Sequence, residues 1–93
     1  MPRVVLASAV ARWVRAESGE LSLDAAGATL AEVLNDVCAR HPNLRGYVVD
    51  ERGHVRHHVA IFIDGVALRD KTQLAVPLRG DAEVYVLQAL SGG

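Results

Sequence analysis

Apolar residues recur at every second position, or as short β-branched runs, in five segments of the chain, and both patterns predict β-strands. The predicted strands span residues 3–7, 20–25, 58–63, 66–68 and 83–87. Ser18-Gly19 predicts a turn before the second strand, which makes a hairpin of the first two strands. Asp64-Gly65 predicts a type I′ turn between the third and fourth strands, because both residue types tolerate a positive φ. The pattern therefore predicts a sheet of four or five strands.

One segment instead has the spacing of an amphipathic helix. The apolar positions that follow the i, i+3, i+4, i+7 rule are Leu30, Val33, Leu34, Val37, Cys38 and His41. Thr29 is the predicted N-cap and Glu32 follows three residues later, which is a capping box. Pro42 predicts the end of the helix, because the residue before a proline avoids the helical region. The spacing predicts one main helix that begins at Thr29 and ends before Pro42.

Three segments carry weaker patterns. Residues 9–16 are open to two interpretations: Val10, Trp13 and Val14 have helical spacing, but a strand end followed by a loop is also compatible. Residues 43–57 are interrupted by Gly46 and Gly53 and are predicted to be a loop. Residues 69–80 are predicted to be irregular.

A single helix covers only one face of such a sheet, so the other face is left partly open. Period-two alternation assigns one set of residues to the helix side: Val59, Ile61, Ile63, Val84 and Val86. The same alternation assigns Ala60, Phe62, Tyr85 and Leu87 to the open side. Large apolar residues on an open face predict a partner-binding surface; the alternative is that a loop covers them. The predicted fold class is α+β, a mixed sheet with one main helix packed on one face.

Composition narrows the class of protein. A length of 93 residues predicts one domain over residues 1–93. The single cysteine excludes an internal disulfide. A formal net charge of −1 lacks the excess of positive charge that is typical of proteins that bind nucleic acid. No apolar run approaches the roughly 20 residues that span a bilayer, and no signal-peptide pattern is present. We expect a small soluble cytoplasmic domain without a membrane or nucleic-acid partner.

Residues with catalytic or metal-binding potential do not form a recognisable motif. His54 and His58 would lie about 13 Å apart on an extended strand, and adjacent His57 and His58 would point to opposite faces, so a zinc site is disfavoured. Cys38 lies on the apolar stripe of the helix and is predicted to be buried and unreactive. The chain has no nucleophile elbow and no glycine-rich phosphate loop, and no pocket is expected at this size. We therefore predict no catalytic residue, no metal site and no bound cofactor.

The basic stretch Arg52–Arg56 is compatible with an acidic partner surface, but a solvated loop is favoured. 

The sequence ends in Leu90-Ser91-Gly92-Gly93. Two residues without a Cβ form an extended thread that enters a narrow channel, and this thread would bring the carboxylate of Gly93 against a phosphate. Attack of that carboxylate on the α-phosphate of ATP would give an acyl-adenylate, from which sulfur or an amine displaces AMP. Nothing follows Gly93 in this sequence, so we expect that no trimming is needed. The predicted flexible tail covers about residues 89–93, and the alternative is a frayed end of no consequence.

Five segments in this order resemble the MoaD/ThiS sulfur carriers, which are ubiquitin-like proteins of the β-grasp fold. They are residues 29–34, 41–45, 59–65 with 68–69, 77–84 and the terminal Gly92-Gly93. The resemblance covers nearly the whole chain and implies the β-grasp fold, with a strand end and a loop over residues 9–16. The extra length between Arg45 and His58 looks more like the carriers of cysteine or siderophore-type sulfur pathways than the shorter thiamine carriers.

This resemblance implies a carrier cycle in which the chain is a co-substrate and not an enzyme. A ubiquitin-activating-type enzyme (MoeB/ThiF-like) would use ATP and Mg²⁺ to adenylate Gly93 and would hold the tail at Gly92, Ser91 and Leu90. A sulfur donor would convert Gly93 to a thiocarboxylate. A biosynthetic enzyme would then pass the sulfur to cysteine, a cofactor, a thiolated tRNA or a secondary metabolite.

The resemblance also places Phe62, Tyr85 and Leu87 where ubiquitin has its apolar recognition patch. These residues are therefore expected to form the partner-binding face.

Two alternatives share the diglycine tail. In the first, the chain would be a ubiquitin-like modifier joined through Gly93 to lysines of other proteins. In the second, it would be the small subunit of a molybdopterin-synthase-type complex. Lys71 is the only lysine, so self-conjugation through lysine would be restricted to one linkage. If the tail had no role, a plain protein-interaction module would remain.

Overall fold

The computed structural model describes residues 1–15 and 19–89, which form a five-stranded sheet with one main helix on one face. The strands are β1 (Arg3–Leu6), β2 (Leu21–Asp24), β3 (Val59–Ile63), β4 (Val66–Ala67) and β5 (Glu83–Gln88). The helices are α1 (Ser8–Ala11), α2 (Leu30–Arg40) and α3 (Arg45–Val48), with a 3₁₀ turn over Pro42–Leu44 before α3. The predicted α+β class and the main helix are confirmed.

The sheet has the strand order β2-β1-β5-β3-β4, so the first and last strands lie side by side at its centre. β1 pairs with β5 in parallel, whereas the β1–β2, β3–β4 and β3–β5 pairs are antiparallel. Val84 lies opposite Val4 on one side and Ile63 on the other. The parallel central pair requires a long crossover, and α2 lies within it.

The core lies between α2 and one face of the sheet. It includes Val4 and Leu6 from β1, Val59 and Ile61 from β3, Val84 and Val86 from β5, and the apolar stripe of α2, Leu30, Val33, Leu34, Val37 and Cys38. Ile63 is partly buried and packs against this cluster. The prediction from period-two alternation is confirmed for the five residues that it assigned to the helix side: Val59, Ile61, Ile63, Val84 and Val86.

The N-terminus of α2 is capped by side chains and by a neighbouring loop. Thr29 Oγ1 accepts a hydrogen bond from the Glu32 N–H at 3.2 Å, as predicted. Glu32 Oε1 accepts from the N–H of Ala28 at 2.7 Å and not from that of Thr29, so the capping box is displaced by one residue. The free N–H groups of Leu30 and Ala31 donate to carbonyl oxygens of the 74–76 segment, which holds the helix against this loop.

Two short helices bear on the weaker sequence patterns. The structure has α1 over Ser8–Ala11, which confirms the helical interpretation of this region in part and contradicts the strand end and loop that the resemblance implied. The predicted loop over residues 43–57 contains the 3₁₀ turn, α3 and an isolated bridge between Val49 and Val55. Burial explains α3, because Leu44 and Val48, four positions apart, both reach the core when the chain turns helically.

The turn after β3 matches its prediction. Asp64 and Gly65 have φ values of 50° and 84°, as a type I′ turn requires. The Asp64 N–H donates to the Glu83 carbonyl at 2.9 Å, and the Glu83 N–H donates to Asp64 Oδ1 at 2.9 Å. This pair of bonds fixes the turn to the start of β5.

No helix in the described part of the chain has the length and apolar character that a membrane crossing requires.

Candidate functional site

The face of the sheet opposite α2 carries a group of half-buried residues, which we call the open face: Ala60, Phe62, Tyr85 and Leu87. Phe62 lies directly opposite Tyr85 on the neighbouring strand, and Ala60 lies opposite Leu87. Each pair shares one side of the pleat, because the side chains of directly opposed residues point the same way. The predicted placement of Phe62, Tyr85 and Leu87 is confirmed; their role in partner binding stays a prediction.

The register extends the open face across the sheet. One row of opposed residues runs through all five strands, in the order Ser22, Val5, Tyr85, Phe62 and Ala67. Val5 is only 6% exposed, so Tyr85, Phe62 and Ala67, together with the exposed Ser22, form the accessible part of the row. A partner therefore meets a mostly apolar strip with a polar end at Ser22.

Tyr85 is held in place by the carboxylate of Glu20, a residue outside the five strands. Its hydroxyl donates a hydrogen bond of 2.5 Å to Glu20 Oε2. This bond stabilises the neutral phenol and raises the pKa of Tyr85 above its ordinary value, with smaller contributions from burial and from the negative charge of Glu20 and Glu83. The Glu20 bond fixes the ring on the open face and adds a negative charge at the border.

The end of β5 is the point from which the tail continues. The Ala89 N–H donates to the His58 carbonyl at 2.7 Å, and Gln88 Oε1 accepts from the Tyr47 hydroxyl at 3.2 Å. Leu87 belongs to the open face, so this face reaches the root of the tail. The predicted tail contacts at Leu90, Ser91 and Gly92 and the predicted activation site at Gly93 lie outside the described residues.

Beside this root, the structure brings together three rings that the sequence analysis did not connect. We call Trp13, Tyr47 and His58 the aromatic cluster. The Trp13 and Tyr47 rings stack with centroids 4.9 Å apart and an interplanar angle of 28°. Tyr47 and His58 meet edge to face at 4.9 Å. Their separation along the chain leaves no local pattern from which this cluster was predictable.

The histidines do not assemble as the strand geometry predicted. The rings of His57 and His58 lie 5.8 Å apart and meet edge to face, so they do not point to opposite faces. The reason is that β3 begins at Val59, and period-two alternation does not apply to the turn that precedes it. Among residues 1–15 and 19–89, no group of three or more His, Cys, Asp or Glu residues is arranged to hold a metal ion.

Cys38 is 3% exposed, as its position on the apolar stripe predicted. Burial raises the pKa of its thiol, and the positive charge of Arg45 opposes this only in part. The expectation that a chain of this size has no pocket is wrong, because a recess of about 460 Å³ lies between α2 and the 45–56 segment. Its lining includes Cys38 but no histidine, so the thiol has no adjacent imidazole base there.

The sequence matches the family model described as "ThiS family" over residues 10–93. A comparison with curated proteins gives no match.

Solved structures of similar architecture cover nearly the whole chain. The protein is similar to SAMP1 from Haloferax volcanii, with a TM-score of 0.74 and 22% identity over 99% of this chain and 98% of that one. It is similar to CysO from Mycobacterium tuberculosis, with a TM-score of 0.75 and 21% identity over 94% and 99% of the two chains. It is also similar to the Amycolatopsis orientalis BexX/CysO complex, with a TM-score of 0.75 and 22% identity over 97% and 99% of the chains. These likenesses establish the β-grasp fold that the resemblance implied.

Proposed function

The chain belongs to the ThiS family, whose small members are sulfur carriers or ubiquitin-like modifiers and not enzymes, and we propose that it is a sulfur carrier activated at Gly93. The observation that carries this proposal is that the family match runs through the diglycine to Gly93. A glycine pair is the sequence that a narrow activation channel requires, since neither residue has a Cβ.

The proposed chemistry takes place on the carboxylate of Gly93. A carboxylate oxygen attacks the α-phosphorus of ATP, the bond to the β-phosphate breaks and pyrophosphate leaves. Donor sulfur at the oxidation level of sulfide then attacks the acyl carbon of the adenylate. The carbon–oxygen bond to AMP breaks, and a thiocarboxylate remains on Gly93.

In this proposal the nucleotide and Mg²⁺ are bound by a MoeB/ThiF-like activating enzyme. This chain supplies the nucleophilic carboxylate and the docking surface. The tail residues Leu90, Ser91 and Gly92 extend into the enzyme, and a glycine at position 92 leaves room for the ATP phosphates.

The open face is the proposed docking surface for this enzyme. Phe62 and Tyr85 are directly opposed aromatic residues on neighbouring strands, and Leu87 continues the surface to the root of the tail. Aromatic residues on a rigid sheet lose little conformational entropy on binding, which favours them as contact residues. A complex of BexX and CysO is known from Amycolatopsis orientalis, so docking of this chain on a partner protein is in keeping with the proposal.

A second candidate is a ubiquitin-like modifier joined through Gly93 to lysines of other proteins. It is favoured by the similarity to small archaeal modifier protein 1 from Haloferax volcanii and Methanosarcina acetivorans. The two functions share the adenylate and differ in the group that displaces AMP. No observation favours the third possibility, a small subunit of a molybdopterin-synthase-type complex.

Intact mass spectrometry of the chain purified from its native host tests the proposal. Replacement of one carboxylate oxygen by sulfur adds about 16 Da, and treatment with iodoacetamide adds one alkyl group to the terminal sulfur. Because Cys38 also carries a thiol, the Cys38→Ala variant is the matched control. An unmodified mass together with a ladder of higher-mass conjugates would instead establish the modifier function.

A further inference from the structure

The aromatic cluster of Trp13, Tyr47 and His58 lies beside the root of the tail. Tyr47 bonds to the last residue of β5 through its hydroxyl, and the His58 carbonyl accepts from the Ala89 N–H at 2.7 Å. A protein that encloses the residues after Ala89 therefore comes within reach of these rings.

The cluster and the open face lie on opposite sides of β5. Leu87 and Gln88 are consecutive, so their side chains leave the strand in opposite directions. Leu87 belongs to the open face, whereas Gln88 accepts the Tyr47 hydroxyl on the other side. A partner that surrounds the tail would touch Leu87 on one side and the aromatic cluster on the other.

The surface around the aromatic cluster combines an exposed aromatic ring with a positive charge. Trp13 is 48% exposed, although one face of its ring is stacked on Tyr47. The shallow recess at this site is lined by Trp13, Asn43, Gly46, Tyr47, Arg56 and His58. The lining contains the permanent cation of Arg56 and no carboxylate. Exposed tryptophan and arginine are the residue types that most often dominate protein–protein binding.

We propose that the aromatic cluster is a second docking surface for the activating enzyme, which places an apolar side chain against Trp13 and a carboxylate against Arg56. This inference rests on the proposed function, because it assumes an enzyme that takes up the tail. A carboxylate is the complementary group, since the lining of this recess contains none and, among residues 1–15 and 19–89, no carboxylate lies within salt-bridge distance of Arg56. The enzyme then contacts the end of β5 from both sides, and these two contacts fix the direction in which the tail enters the active site of the enzyme.

The test measures pyrophosphate release by the activating enzyme of the source organism as a function of carrier concentration. The variants are Trp13→Ala and Arg56→Glu. The matched controls are Val66→Ala, an exposed apolar residue, and Arg79→Glu, an exposed cation near the opposite end of β5. We expect both variants to raise KM for the carrier about tenfold or more with kcat unchanged, and both controls to stay within about twofold of wild type.

A second measurement reports docking directly. Trp13 is the only tryptophan of the chain, so 5-fluorotryptophan labelling gives a single ¹⁹F resonance from the aromatic cluster. We expect this resonance to shift or broaden when the activating enzyme is added without ATP. We also expect salt to weaken binding of the wild-type chain more than binding of the Arg56→Glu variant, because the proposed Arg56 contact is screened.

The outcomes separate this inference from the proposed function. Normal adenylation of wild type with KM unchanged by Arg56→Glu overturns the second docking surface and leaves the carrier function standing. If Trp13→Ala lowers the melting temperature, Arg56→Glu alone decides, because its exposed side chain is not part of the core. Absence of pyrophosphate release with the wild-type chain overturns both proposals.

Discussion

The hydroxyl of Tyr85 donates a hydrogen bond to the carboxylate of Glu20, although the two residues lie 65 positions apart in the sequence. Tyr85 belongs to the central strand β5, and Glu20 comes just before the edge strand β2. The bond therefore connects the middle of the open face to its border. Tyr85 lies directly opposite Phe62 in the strand register, so this bond also places a negative charge next to the aromatic part of the open face.

The pKa of Tyr85 provides the first prediction. Glu20→Gln removes the carboxylate that accepts from the phenol, so we expect the pKa of Tyr85 to fall towards its ordinary value. Titration of tyrosinate absorbance measures this shift, and a Tyr47→Phe background leaves Tyr85 as the only tyrosine. The folded-state pKa is raised above 10.0. This group therefore contributes stability below pH ~10 that is lost as the pH rises through the folded-state value.

An unchanged Tyr85 titration in Glu20→Gln would show that the hydrogen bond does not form in solution. Glu83→Gln is the matched control, because Glu83 acts on Tyr85 only through its charge and makes a smaller contribution. We expect its effect on the pKa of Tyr85 to have the same direction and a smaller size.

The second prediction concerns Phe62 on the open face. Phe62→Asp places a charge where an apolar partner surface is proposed, so we expect at least about tenfold weaker binding to the activating enzyme. The loss of the pair with Tyr85 costs about 1 kcal/mol of unfolding free energy, because Phe62 is only half buried. Titration calorimetry measures the binding, and thermal unfolding measures the stability.

Val66→Asp is the control for Phe62→Asp, since Val66 is 70% exposed and lies on the edge strand β4. We expect it to leave binding unchanged. A large drop in melting temperature in Phe62→Asp would identify Phe62 as a core residue and would remove the argument for a free surface.

The parts of the fold that the sequence predicted are those set by local spacing. Period-two alternation separates Ile61 from Phe62 correctly because β3 is regular and only one of its faces packs on a helix. The N-cap at Thr29 follows from chemistry within one turn. The N-cap depends on residues within one helical turn, and the alternation of β3 depends on one face of a single strand. Both patterns can therefore be seen in a short stretch of sequence.

The parts that the sequence missed depend on long-range packing. α3 has four residues and no second turn in which periodicity becomes visible, and the helical spacing of Val10, Trp13 and Val14 gave α1 only as one of two interpretations. Trp13 stacks on Tyr47, which lies 34 positions later in the sequence, so this contact depends on the tertiary fold. The open face was predictable from the period-two alternation of the strands, whereas the aromatic cluster beside the tail was not predictable from any local pattern.

The third prediction concerns Gly27, which precedes the N-cap of α2. Gly27 has a φ of 150°, and an added Cβ would lie 2.7 Å from Glu32 Cβ and 2.8 Å from the Val33 nitrogen. Since the backbone of α2 cannot move away without loss of its cap, we expect Gly27→Ala to lower the unfolding free energy by about 2 kcal/mol or more. Urea unfolding measures this change.

Gly46→Ala is the matched control for Gly27→Ala. Gly46 lies in α3, and an added Cβ there meets nothing within 4 Å. We expect this variant to be neutral or more stable by up to about 1 kcal/mol, because alanine restricts the unfolded chain. Equal destabilisation by the two substitutions would contradict the steric explanation.

The fourth prediction separates the tail from the fold. Deletion of Gly93 leaves the terminal carboxylate on Gly92, one residue short of the position at which it would reach the α-phosphate, so we expect no pyrophosphate release with the activating enzyme. We expect the melting temperature to stay the same, because β5 ends at Gln88, before the deleted residue. Gly92→Ala is expected to slow activation, whereas Gly80→Ala, where an added Cβ meets nothing within 4 Å, is expected to leave it unchanged. Unimpaired activation of the deletion variant would refute Gly93 as the site.

The fifth prediction follows from the burial of Cys38. Its thiol is 3% exposed and burial raises its pKa, so both access and the thiolate fraction are low near neutral pH. We expect alkylation by iodoacetamide to be much slower in the native chain than in urea. The stability that this group contributes is present below the ordinary pKa of 9.0 and is lost as the pH rises through the higher folded-state value. Cys38→Ala is expected to cost about 1 kcal/mol and to leave activation at Gly93 unchanged. A native alkylation rate equal to that in urea would show that the recess beside α2 opens readily and would contradict the inert role of this thiol.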